Sequence, residues 1–372
     1  MDSRRHRIAA MTLPGVSSMF RCASLALCLI TPTAAHAAQV ISDGSDGVFH
    51  PLASMVIDLP ADGVLNYTTI DIPAGVRVIF RRNAANTPVF MAATGDVNIA
   101  GSIDVSATAT DLVIPAPVPN NPKQGGGPGA GNGGAGGGSG PGTPGSGLAG
   151  GAGGDGGQAN SLGHGGGGGG MAEPGLEATR YSGFPPGAGG AAVARPDLLP
   201  GVSGGGGSGG GGGGAGERYG FAAGGFGGGG GGALNISTPG SLSLTGTLFA
   251  NGAHGGWAFA NVFVNGGPGG GGSGGNLELW ADSLVLADTA LVQALGGYGG
   301  GKSTQPYSSD PQAFSDGADG GLGYLALNAA HIDIAPGAVI DAQLQAVPLP
   351  ASLPLLGGAL LVIVRRSRAV MG

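Results

Sequence analysis

The sequence predicts an all-β chain, an irregular parallel β-helix (a solenoid) with long Gly-rich loops; a β-sandwich is the alternative. Two observations carry this expectation. Apolar residues recur at every second position in short segments, and these segments alternate with tracts dominated by glycine. Period two marks a strand, because successive side chains point to opposite faces.

Five segments can be laid over one another: residues 70–78, 97–105, 242–250, 284–292 and 332–340. In each, offsets 0 and 2 put apolar side chains on one face, a turn falls at offsets 4 and 5, and offsets 6 and 8 resume the pattern. Gly, Asp, Pro and Thr occupy the turns, as loops between strands require. The last four segments follow a further apolar pair, namely Val89 and Met91, Leu234 and Ile236, Leu277 and Leu279, and Leu325 and Leu327. The unit is thus three short strands and two tight turns over roughly 18–20 residues, within the range of solenoid repeats. One unit leaves its apolar edge exposed, whereas stacked units cover one another. Each inward side chain contributes about 1.5–3 kcal/mol when fully buried. The superposition predicts one interior column made of Ile72, Ile99, Leu244, Leu286 and Ile334.

Glycine accounts for 86 of 372 residues, against roughly 7% in ordinary proteins. The main tract runs from Gln124 to Gly232, and shorter ones occupy 252–275 and 296–323. Glycine gains little by burial and loses the most conformational freedom on folding, so flexible loops are expected there. No strict Gly-X-Y period is kept, which excludes collagen. A further reading is an adhesin whose Gly-rich segments pack against one another as extended helices. The expected organisation is a signal peptide (1–37), an N-terminal β region (38–123), a Gly-rich low-complexity segment (124–232), solenoid coils with Gly-rich loops (233–346) and a C-terminal sorting signal (347–372).

The ends of the chain carry the most specific signals. Arg4, Arg5, Arg7 and Arg21 precede an uncharged apolar run from Cys22 to Ile30, and Ala35-His36-Ala37 then supplies small residues for signal peptidase. Cleavage after Ala37 makes Ala38 the mature N-terminus. The apolar run is far shorter than the ~20 residues needed to span a bilayer. At the other end, residues 342–364 are uncharged; they contain Val347-Pro348-Leu349-Pro350-Ala351 and an apolar segment, and Arg365, Arg366 and Arg368 follow. Arginines favour the cytoplasmic side and would stop the tail from being exported.

This order of motif, apolar segment and arginine cluster resembles the VPLPA variant of the PEP-CTERM sorting signals of Gram-negative bacteria. The resemblance covers only the last 26 of 372 residues. It implies transient residence in the inner membrane, recognition and cleavage near the motif by an exosortase-like membrane protease, and delivery to the cell surface or the extracellular polysaccharide.

Between the two signals, residues 38–346 hold 8 basic and 21 acidic residues, a net charge of −13. Acidity without a basic stripe argues against nucleic acid as a partner. Both cysteines, Cys22 and Cys28, lie in the leader, so disulfides and thiolate metal sites are excluded from the body.

Residues able to do chemistry are few. His50, His164, His254 and His331 are scattered and show no metal-binding spacing. Asp104, Asp333 and Asp341 fall at outward strand offsets and read as solubilising groups. Tyr181, Phe184, Trp257, Phe259 and Trp280 are rings able to stack on sugars, although Trp280 follows a strand and serves packing equally well. Gly150 to Asp155 fits the start of a calcium-binding nonapeptide, but Gly157 stands where a large apolar residue should close the coil. Asp43 and Asp46, like Asp316 and Asp319, read as solvated turn residues, and Asn66 and Asn235 match the glycosylation pattern by chance. No catalytic, cofactor-binding or metal-binding residue and no cofactor is assigned. The expected function is non-enzymatic: an exported structural or adhesive protein of the cell surface or extracellular matrix, with signal peptidase, an exosortase-like protease and extracellular polysaccharide as partners. The alternative is a carbohydrate-binding or polysaccharide-degrading β-helix.

Overall fold

The computed structural model describes residues 39–107, 124–137, 140–153, 163–178, 186–214, 224–258, 260–261, 264–301 and 316–346. All regular elements among them are strands. In chain order these begin with β1 (Val48–Phe49), β2 (Met55–Asp58), β3 (Val64–Tyr67), β4 (Thr69–Ile72), β5 (Arg77–Arg81) and β6 (Val89–Ala93). Next come β7 (Val97–Ile99), β8 (Ser102–Asp104), β9 (Ala233–Ser237), β10 (Ser241–Leu244), β11 (Thr247–Phe249), β12 (Ala260–Asn261) and β13 (Val264–Asn265). The chain ends with β14 (Asn276–Leu286), β15 (Leu291–Gln293), β16 (Tyr324–Ile334), β17 (Val339–Asp341) and β18 (Gln343–Ala346).

Among the described residues only β12 and β13 pair antiparallel, and the other pairings are parallel. One sheet has six strands in the order β17-β15-β11-β8-β5-β2, and the other has ten. The 11-residue strand β14 carries β9 along Asn276–Trp280 and β10 along Ser283–Leu286, while β16 lies along both halves. Two ladders thereby merge into one sheet that turns back on itself through β14. Turns recur at equivalent places: Val76 donates to the Pro73 carbonyl, Ala290 to Ala287 and Ala338 to Ala335. Gly75 closes the first of these with φ of 79°, a conformation that strains any residue with a Cβ.

The registers set Ile72 beside Ile99, Ile99 beside Leu244, Leu244 beside Leu286, and Leu286 beside Ile334. The first four are fully buried, whereas Ile334, in the last coil, is 40% exposed. Parallel columns run through Met55, Val78, Ile103, Leu248, Val292 and Ile340, and through Leu65, Met91, Ile236, Leu279 and Leu327. Their buried members, with the partly buried Leu65 and Ile340 packed against them, form one apolar core.

The expected fold class is corrected on two counts. The molecule is not a β-helix of separate faces closed by long Gly-rich loops, because β14 and β16 fuse two ladders into a single ten-stranded sheet and the described Gly-rich segments pack against one another. Nor is it a β-sandwich, since its two large sheets are wholly parallel. It is a strand-only parallel solenoid joined to a packed body of glycine.

The glycine body grows from one corner of the solenoid. Its three segments lie between β8 and β9, between β11 and β14, and between β15 and β16, always on the passage from the six-stranded to the ten-stranded sheet. Coils stacked in register release their excursions in register. Within the body, donors to a given neighbour recur every third residue. Gly131, Gly134 and Gly137 donate to Gly207, Gly210 and Gly213, and Gly269, Gly272 and Gly275 donate to Gly256, Ala253 and Ala250. That is the repeat of a polyproline II helix, with three residues per turn and no internal hydrogen bonds.

The innermost segment, 267–275, is bonded on all sides. It donates to 208–214, 250–256 and 318–321, and it accepts from 225–231, 166–169 and 297–300. Three residues per turn and six neighbours leave room in this segment for only two side chains, Pro268 and Ser273, and the buried Ser273 Oγ accepts from Ser208 N at 2.8 Å. A Cβ added at Gly270, Gly271 or Gly272 would sit well inside 3.0 Å of a neighbouring carbonyl oxygen, that of Gly167, Gly297 and Gly229 respectively. The entropy lost by ordering glycine is offset by buried backbone hydrogen bonds and by close packing of the backbones.

Residues 193–201 form a strap across the outer face of the ten-stranded sheet. The Tyr324 hydroxyl donates to the Val193 carbonyl, Asn276 Nδ2 to the Pro196 carbonyl and Gly201 N to the Asp62 carbonyl. Leu198 packs on Phe90 and Ala233. Arg195 pairs with the fully buried Glu278 and donates through Nε to Gln345 Oε1 at 2.6 Å, while Asn235 Nδ2 donates to Glu278 Oε2 at 3.0 Å. Burial lowers the Arg195 pKa, and the Asp197 carboxylate opposes that shift. A carboxylate with several donors is tolerable in this interior, whereas an unpaired one is not.

Candidate functional site

The three-residue repeat decides which residues of the glycine body reach solvent. On segment 250–258 the larger side chains are Asn251, His254 and Trp257; on 294–301 they are Leu295 and Tyr298. These segments run side by side and parallel, with Gly252 and Gly255 donating to the Leu295 and Tyr298 carbonyls, each at 2.8 Å. Positions three apart lie on one side of such a helix, about 9.3 Å apart along it. The two rows therefore meet on the outside.

Side chains lock this face. Leu295 N donates to Asn251 Oδ1 at 2.9 Å, and Tyr298 N donates to His254 Nδ1 at 2.8 Å. The His254 and Tyr298 rings stack, with centroids 5.2 Å apart and planes 8° from parallel. Because His254 Nδ1 is an acceptor, its proton sits on Nε2, which faces away from that bond. Tyr298 is 69% exposed and Trp257, one turn from His254, is 66% exposed. On the next segment Asp319 accepts from Gly299 N at 2.7 Å through Oδ1. Exposed rings on a stiff backing, flanked by acceptors, can stack on the apolar face of a sugar while polar neighbours bond its hydroxyls.

Other sequence candidates are not gathered here. His50 Nδ1 lies 3.0 Å from Asp71 Oδ2 on the solenoid, His331 is exposed on β16, and His164 is buried in the glycine body. Asp104, expected to face solvent, is 7% exposed and paired with Arg77; that expectation is corrected. Asp333 is exposed as expected, and Asp341 accepts from Gln293 Nε2. Asp43 and Asp46 act as turn acceptors: Ser45 donates to Asp43, lowering its pKa, and Asn66 N donates to Asp46. Asn235 is buried against Glu278 and closed to modification. Trp280 lies in register with Ser237 and Asn328, not with Trp257. Gly150, Gly151 and Gly153 belong to the glycine packing.

Tyr181, Phe184, Phe259, Asp155 and Gly157 lie outside the described residues, as do Ala35, Ala37, Ala38, the motif Val347-Pro348-Leu349-Pro350-Ala351 and the arginines Arg365, Arg366 and Arg368. Among the described residues no group of three or more His, Cys, Asp or Glu converges, and no helix is long and apolar enough to cross a membrane. Sequence reasoning missed Tyr298; its signal was the three-residue spacing that pairs Leu295 and Tyr298 with Asn251 and His254. No family model matches the chain, and neither a curated protein nor a solved structure is detectably similar to it.

Proposed function

We propose that the protein is an exported structural or adhesive component of the cell surface or extracellular polysaccharide matrix, released by signal peptidase and an exosortase-like route. The observation that carries the adhesive reading is the row of exposed rings, His254, Tyr298 and Trp257, on a rigid glycine backing. Its ligand is extracellular polysaccharide. Trp257→Ala and Tyr298→Ala are each expected to weaken co-sedimentation with that polysaccharide about tenfold, the scale of one lost stacking contact. Unchanged binding in the double variant would defeat the reading. The same samples, assayed for new reducing ends, test the polysaccharide-degrading alternative.

The export route rests on the tail. Moving guanidinium groups through hydrocarbon is costly, so Arg365, Arg366 and Arg368 hold the tail in the membrane while it is cut. Changing all three to Ser is expected to leave residues 38–346 folded and to impair tail processing. Immunoblots of membrane and medium fractions report this, and normal cleavage of the variant would remove the arginines from the sorting signal.

A further inference from the structure

Among the described residues the solenoid is open at both ends. At its first coil Val48 is 68% exposed, Leu52 85%, Met55 41% and Val56 49%; at its last coil Ile332, Ile334, Val339 and Leu344 are 40 to 48% exposed. Met55 at the first coil and Ile332, Ile334 and Leu344 at the last are free ends of the inward columns, while Val48, Val56 and Val339 stand on outward ones. Met55 begins the column that ends at Ile340, and Phe49 begins the one that runs through Ile70, Val97, Leu242 and Leu284 to Ile332. At the first coil the β3 edge is already covered, since Asp46 N donates to the Asn66 carbonyl and Asn66 N donates back to Asp46 Oδ2. The outer edges of β1 and β2 have no strand partner among the described residues, and neither do those of β17 and the second half of β16.

We propose that these two ends bind each other, so that the β1–β2 edge of one copy continues the β16–β17 edge of a second copy, head to tail. Three features favour a second copy over another partner. The ladders of both large sheets are parallel, so both ends present strands of one polarity and a translated copy extends each ladder by the pairing already used inside. The inward columns are apolar at both ends, so joining them covers both surfaces together. The outward column from Asp71 through Asn98, Ser243 and Val285 ends at Asp333, and His50 lies against Asp71 at its other end. In a stacked pair, His50 of the second copy falls next to Asp333 of the first. Uncapped strand edges are templates for pairing, and a contact between unlike ends generates open filaments.

The test uses the purified full chain and two variants that place an inward-pointing charge at one end each, Met55→Lys and Ile334→Lys. Both sites are partly exposed, and thermal unfolding checks that each variant folds; Ile57→Lys and Ile340→Lys, at the neighbouring inward positions, serve if one does not. By analytical ultracentrifugation the parent is expected to form a concentration-dependent series of multiples of the monomer mass. Each variant alone should associate about 100-fold more weakly, because a lysine replaces an apolar contact at the joint. An equimolar mixture should form dimers and nothing larger, since each variant retains the end the other lacks. A parent that stays monomeric up to about 1 mM, the weak limit of specific association, would overturn the proposal. So would a folded single variant that forms dimers as tightly as the parent associates and nothing larger, which requires like ends to meet. Polysaccharide binding by Trp257 and Tyr298 does not depend on either result.

Discussion

Replacing Leu286 with Asp is expected to destabilise the protein by more than about 4 kcal/mol, enough to unfold most single domains partly or wholly. Leu286 is fully buried between Leu244 and Ile334 in the interior column. The substitution removes about 2–3 kcal/mol of apolar burial and puts a carboxyl group where every neighbour is hydrocarbon. Protonation would relieve the charge but leave a polar group without a partner. Thr247→Asp is the control: Thr247 faces outward on β11, in register with Ser102, and Ser102 is in register with Arg77. That change should stay within about 0.5 kcal/mol of the parent. Urea unfolding of both variants decides the matter, and equal midpoints for Leu286→Asp and the parent would remove the column.

Gly271→Ala is the second large effect, expected at about 3 kcal/mol or more for a single methyl group. Overpacking ordinarily costs 1–3 kcal/mol because neighbouring side chains shift out of their rotamers. Here the obstacle is the Gly297 carbonyl oxygen, part of a backbone that is itself hydrogen-bonded, and it has no rotamer to change. Gly271 also donates to the Ala318 carbonyl at 2.8 Å and accepts from Gly169 N at 2.9 Å, so a local shift disturbs three segments. Gly301→Ala provides the contrast, since a Cβ there meets nothing within 4 Å. It should be neutral or stabilising by up to about 1 kcal/mol through the unfolded state. Thermal unfolding separates the two, and similar melting temperatures would mean that the glycine body is loose in solution.

The strand columns were legible because alternation reports directly on which face is buried. Ile70 and Ile72, Val97 and Ile99, and Leu242 and Leu244 fall into ladder register where their superposition places them. The glycine body was not legible from the same rule. Glycine has no side chain to reveal a period, and its entropy points toward loops until enough neighbours surround a segment to satisfy its backbone. The spacing of His254 and Trp257, and of Asp316, Asp319 and Leu322, was the available sign. Asp104 misled for a different reason. Strand alternation gives the direction of a side chain, but not its partner, Arg77, one ladder strand away. Glu278 was hidden likewise, because its partner Arg195 lies in a segment that shows no period at all.

The three-residue repeat of the glycine body constrains how its gene can change length. Inserting or deleting one residue within 267–275 would rotate everything after it by a third of a turn, driving Ser273 or Pro268 toward neighbours that admit only hydrogen. A change of three residues restores every contact one turn further along. Expansions and contractions of the coding sequence are therefore tolerated in steps of about nine nucleotides, the length of one helical turn. Replication slippage in so repetitive a stretch would be filtered by the backbone itself, and tract lengths in natural variants should differ by whole turns.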